Sequence, residues 1–167
     1  MSRMTKKIIA VIATCACAFC MFAFVGCGST SDMMGVVQNS TPESYYLSSL
    51  NSLMSEINNS LDGFNDTVKN KDIDAMKKTL DATQNTIDKI NKLDVPENCK
   101  DVQAKYLDGL NSMQKCFSDY IQVFTDQKEG KITNEVLAQR VAEIQKSYNS
   151  AMNSLKEADK LASSVLS

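Results

Sequence analysis

Residues 42–69 read PESYYLSSLNSLMSEINNSLDGFNDTVK, and the spacing of their large apolar side chains decides the fold. Leu47, Leu50, Met54, Ile57, Leu61, Phe64 and Val68 follow one another at intervals of three and four, which keeps all seven on one face of an α-helix. A strand would need alternation with period two, and none is present here. Thr41-Pro42-Glu43 supplies a start signal: a hydroxyl to cap the first amides, a proline at the first helical position and an acid in the first turn. The segment is expected to end at Asn70 or Lys71.

Three more stretches repeat the pattern. Asp72 is a candidate N-cap for a second helix over 72–93, with Ile73, Met76, Leu80, Thr83, Ile87 and Ile90 on its seam. Pro96 stops it, because the residue before a proline is pushed out of the helical region. A third helix over 96–128 carries Cys99, Tyr106, Leu110, Met113, Phe117, Tyr120 and Phe124, with Val102, Gly109, Cys116 and Val123 on the flanking row. Gly130 suits the left-handed position past its end. A fourth helix over 133–166, capped by Thr133 with Ile132 placed to pack on Leu137, carries Leu137, Val141, Ile144, Tyr148, Ala151, Leu155, Ala158, Ala162 and Val165. Connections of two to four residues between four such helices predict an all-α, up-down-up-down antiparallel four-helix bundle over 42–167. An extended, spectrin-like coiled coil is the structural rival, and seams near a 3.5-residue period supercoil to the left in either case.

Outside this domain the composition changes abruptly. Twenty of the first 27 residues are apolar and none is acidic, whereas the other 140 are about 37% apolar. Three of the 18 bases precede Cys27, so the rest of the chain sets 15 bases against 20 acids, a net charge of −5. Met1–Lys7 is a short basic region, and Ile8–Val25 is an uncharged, mostly apolar run ending at Gly26-Cys27. Basic start, apolar run and small residue before a cut describe a secretory signal. An uncleaved transmembrane helix fits the run's length as well, since 18 residues at 1.5 Å each approach the roughly 30 Å of a hydrocarbon core. Both readings place the remainder outside the cytoplasm.

The junction Phe24-Val25-Gly26-Cys27 resembles the lipobox of bacterial lipoproteins, with Phe24 standing where leucine is usual. That resemblance, which covers only the first 30 or so residues, implies cleavage between Gly26 and Cys27, a thioether-linked diacylglycerol on Cys27 and further acylation there. Residues 1–26 would then be the signal peptide, and 27–41 the lipidated cysteine with a flexible linker. Two acyl chains, at about 0.8 kcal/mol per buried methylene, hold a protein stably where one is marginal. The tether 28–41, mostly Gly, Ser, Thr, Asn and Gln, has expected coil dimensions of about 20 Å. The chain is thus expected at the extracytoplasmic face of a cell membrane, held by its lipid and facing protein or envelope partners.

Catalytic machinery is scarce. The chain has no His, which removes the commonest general base, the usual partner of a nucleophilic Ser or Cys, and the ligand most used by zinc and di-iron sites. Carboxylates such as Glu56 and Glu143 have no partner selected by spacing, so no enzyme is expected. Neither a metal nor a cofactor is expected. Met54, Met76, Met113 and Met152 lie one per helix on or beside the seams; this is ordinary core spacing rather than a copper site. No basic stripe supports nucleic-acid binding, which the net negative charge opposes. Cys99 and Cys116, 17 residues apart on one helix, are about 25 Å from each other and cannot pair. The remaining candidates are phenols. Tyr106, Tyr120 and Tyr148 fall on seams near Thr83 and Gln103, and a buried phenol needs a hydrogen-bond partner. Either the hydroxyls reach the bundle edge, or they line a polar pocket for a small amphipathic ligand. The non-enzymatic interaction or structural module is the main expectation, and the ligand-binding protein is its alternative.

Overall fold

The computed structural model describes residues 41–61 and 64–165. Every regular element among them is helical: α1 (Pro42–Leu61), α2 (Phe64–Asn70), α3 (Ile73–Asn91), a 3-10 turn (Glu97–Cys99), α4 (Lys100–Lys128) and α5 (Asn134–Val165). The all-α expectation therefore holds, and the four expected segments each appear. The first is described in two stretches. The third opens with the 3-10 turn before its α-helix begins at Lys100, and the second ends at Asn91, two residues earlier than its spacing suggests. The expected signal peptide 1–26, its expected cleavage and lipidation residues Gly26 and Cys27, and the expected linker up to residue 40 lie outside the described residues.

Local chemistry accounts for the helix ends. Thr41 Oγ1 accepts from the Ser44 amide at 3.2 Å, and Asp72 Oδ1 accepts from the Ala75 amide at 3.0 Å. Thr133 Oγ1 accepts from the Val136 amide at 3.3 Å. Each satisfies an amide that has no carbonyl one turn earlier. Two helices end in the same way. Lys71, at φ 54°, follows α2, and Gly130, at φ 71°, follows α4. In both the residue after the left-handed position donates back five residues, Asp72 N to Thr67 O at 2.9 Å and Lys131 N to Asp126 O at 2.8 Å. The left-handed residue itself donates to Val68 O or Gln127 O at 3.1 Å in each. This is the Schellman arrangement, reached once with glycine and once without.

The seams form one core. Met54, Ile57, Phe64, Met76, Ile90, Leu110, Phe117, Leu137 and Leu155 are buried together, and Phe64 meets Phe117 with ring centroids 4.4 Å apart. Removing such a side chain, Leu110→Ala for example, costs roughly 2–5 kcal/mol. At the start of α1 it is Tyr46, beside the expected Leu47, that is deeply buried, while Leu47 packs at the core's margin. The most extensive packing is between α4 and α5, followed by α3 with α4 and α1 with α3. Gly109 explains the first of these. A Cβ built there would stand 2.7 Å from Leu155 Cδ2 and 3.2 Å from its backbone nitrogen, so only glycine admits this approach.

Candidate functional site

Of the five residues singled out from the sequence, Thr83, Tyr106, Tyr120 and Tyr148 are buried and Gln103 is half-buried. Thr83 is fully buried, and its hydroxyl donates to Thr79 O at 2.9 Å, one turn back on α3. Thr86 does the same to Ala82 O at 3.2 Å. A threonine on a seam is thereby satisfied within its own helix and presents no free donor. Gln103 Nε2 donates at 3.0 Å to Ile90 O, one of the last carbonyls of α3, and so helps to close that helix. Tyr120 stacks on Phe124 at 6.2 Å between centroids, and Tyr148 is buried on α5.

Tyr106 is the most informative of the five. Its hydroxyl, on the second turn of α4, donates to Asp159 Oδ1 near the end of α5. Burial pushes the phenol far up, and the carboxylate that accepts its proton raises it further. Burial also raises Asp159 above the ordinary carboxylate range, while the hydrogen bond from Tyr106 pulls it partly back. Sequence spacing did not select Asp159, because a half-buried acid one position past the seam looks like any solvated residue.

Around this pair the starts of α1 and α4 converge. Tyr46 is 2% exposed and its hydroxyl has no hydrogen-bond partner among the described residues. Burial, with a smaller contribution from neighbouring Cys99, pushes its phenol up to about 12. Cys99 is buried beneath the 3-10 turn, and its thiol is raised by burial and then by Glu43. Asn98 Nδ2 donates to Glu43 Oε1 at 3.4 Å, joining the turn to the first turn of α1. This end of the molecule gathers Tyr46, Cys99, Tyr106 and Asp159, of which only Cys99 and Tyr106 were on the expected seams. Burial raises all four above their ordinary ranges, which makes the Cys99 thiol and the two phenols harder to ionise than free groups.

Cys116 is likewise buried, free and pushed up to about 11, by burial first and Asp119 second. An open cavity of about 320 Å³ lies on the outer seam of α4 and α5 between Asp119, Gln122, Arg140, Glu143 and Ser147. A second of similar size adjoins it along Ser112, Lys115, Ser150 and Ser154. Tyr106, Tyr120, Tyr148, Thr83 and Gln103 line neither. Their charges balance: Lys115 pairs with Asp119 at 2.7 Å, and Arg140 with the half-buried Asp126 at 3.1 Å. Among the described residues no group of three or more Cys, Asp or Glu is placed to hold a metal, and no helix is long and apolar enough to cross a membrane. Compared with known families, curated proteins and solved structures, the chain finds no match.

Proposed function

We propose that this chain is a non-enzymatic, lipid-anchored protein of a bacterial cell envelope, held at the extracytoplasmic face of a membrane through Cys27 and presenting an antiparallel helical bundle for docking or spacing. The observation that carries the reading is the sequence Phe24-Val25-Gly26-Cys27 at the end of a basic-then-apolar leader, followed by a polar tether. The bundle is the part that acts on partners. Its up-down-up-down course is supported by contacts that pair the start of one helix with the end of the next. Tyr106 meets Asp159 and Asp126 meets Arg140 between α4 and α5. Ile90 meets Gln103 and Gln84 meets Gln114 between α3 and α4, and Glu56 meets Lys89 at 2.6 Å between α1 and α3.

The interior favours docking over ligand capture. Thr83, Gln103 and Tyr106 each donate to a partner within the bundle, and both cavities are open grooves on its outside.

Metabolic labelling with a palmitate analogue in a bacterial host tests the anchor. The wild-type chain is expected to take up label and to fractionate with membranes, and Cys27→Ala to lose both. Equal labelling of the two would overturn the reading.

A further inference from the structure

The two large apolar side chains that the described surface exposes lie at the same end of the molecule. Tyr45, 74% exposed, is in the first turns of α1, and Leu161, 38% exposed, is in the last turns of α5. The hydrogen bond between Tyr106 and Asp159, and the approach of Tyr106 to Tyr46, bring those two helix ends together. Exposed apolar residues scattered singly are ordinary on a protein surface. Here their position is not scattered, because this is the end at which the chain leads back from Pro42 toward Cys27.

We propose that this end of the bundle rests on the lipid surface, with Tyr45 and Leu161 as its two points of contact. The proposal depends on the anchor at Cys27 and specifies how the anchored domain stands. Residues 28–41 have an expected coil reach of about 20 Å, roughly half the ~43 Å that the 29 residues of α4 span at 1.5 Å each. The end bearing Tyr45 is therefore held within the tether's reach of the bilayer, and the end bearing Lys71 and Gly130 stands a helix length away. A tyrosine suits the headgroup layer, with its ring toward the acyl chains and its hydroxyl toward water.

Charge identifies the kind of surface. Glu43, Asp94, Glu97, Asp101, Glu157 and Asp159 at this end are interspersed with Lys92, Lys100, Lys105, Lys156 and Lys160. Lys100 is paired with Glu97, and Lys105 with Glu157 at 2.9 Å. Acids outnumber bases here among the described residues and no net positive patch draws the domain to anionic headgroups, so the contact is apolar and indifferent to salt.

The absence of Trp from the chain makes the test direct. Single tryptophans are introduced as Tyr45→Trp, Leu161→Trp and, at the opposite end, Lys131→Trp. Each full, lipid-modified chain is reconstituted into phosphatidylcholine vesicles with and without acyl-brominated phosphatidylcholine. Brominated lipid is expected to quench most of the emission of the first two and to leave the third unchanged, equally in low and high salt. Vesicle-bound protein with none of the three quenched would overturn the proposal while leaving the anchor intact; quenching of all three would overturn it in favour of a bundle lying flat. Protein that fails to float with vesicles and carries no lipid on Cys27 would instead defeat the anchor on which the proposal stands.

Discussion

The two ends of the bundle are built on opposite principles. At the end formed by the turns after α2 and α4, polar groups find partners near the surface. Asp72 and Thr133 cap α3 and α5, and two Schellman closures use the carbonyls left over. Lys71 Nζ donates to Gln127 Oε1 at 3.0 Å, and Gln127 Nε2 to Asn134 Oδ1 at 3.1 Å, so the turns hold one another. At the other end polar groups are taken inside. Tyr46 keeps a hydroxyl without a partner among the described residues, Cys99 precedes α4 without a capping side chain, and Tyr106 leans on a carboxylate that burial makes reluctant to ionise. A buried polar group costs stability unless it is bonded. The difference locates the concession at the end where α1 begins.

The largest effect is expected where that concession is best compensated. Asp159→Ala leaves the Tyr106 hydroxyl buried without its acceptor, and should lower stability by about 1–3 kcal/mol in denaturant titration at pH 7. Asp159→Asn separates acceptor from charge. Because the folded-state pKa of Asp159 is raised, the native state holds its proton more tightly than the unfolded chain does. The ionised group therefore opposes folding above its folded pKa, and the penalty disappears as pH falls through the carboxylate range. Asn keeps the oxygen and removes the charge. The variant should match or exceed wild type at pH 7, with the difference closing on acidification; a variant as damaged as Asp159→Ala would mean that the charge itself is needed.

How legible these ends were in the sequence differs for the same reason. Helix periodicity and caps are local, and Thr41, Asp72, Gly130 and Thr133 announce themselves by type and position. The all-α fold and nearly all the seam followed from spacing alone. Pairing between distant helices is not local. Asp159 is one of 20 acids, and nothing in its neighbours distinguishes it from Asp119 or Glu157. Tyr46 and Leu47 are adjacent and both fit a buried face, so spacing could not decide which enters the core. The candidate site was legible as a set of seam phenols, whereas the bond that gives one of them its character was not. Gly109 was visible on a flanking row, but the 2.7 Å approach that demands it depends on Leu155, 46 positions away.

Next in size are the two left-handed closures, which differ in one respect. A Cβ at Gly130 would meet nothing within 4 Å, so Gly130→Ala changes only the backbone preference. It should cost about 1–2 kcal/mol, the usual penalty for an L side chain at such a φ. Lys71 already carries that penalty at φ 54°. Lys71→Gly relieves it but frees the unfolded chain and gives up the exposed bond to Gln127, for a net gain of about 0.5–1 kcal/mol. Opposite signs at the two turns, read as shifts of the denaturation midpoint with unchanged slope, would establish them as one motif at different cost. Equal signs would show that Lys71 owes its place to contacts rather than conformation.

The smallest change tests the opposite end most sharply. Tyr46→Phe deletes one oxygen that is 2% exposed as part of its residue and unbonded among the described residues. Removing half of a hydrogen-bonded pair leaves its partner stranded, whereas removing an isolated group strands nothing. The ring remains to fill the space beside Cys99, and the cost of holding a hydroxyl out of water is recovered. Stability should stay level or rise by up to about 1 kcal/mol, in contrast to the loss expected at Asp159 a few side chains away. A fall of about 1 kcal/mol would mean that a water or a segment before residue 41 bonds the hydroxyl in solution, and this end would then be as fully satisfied as the other.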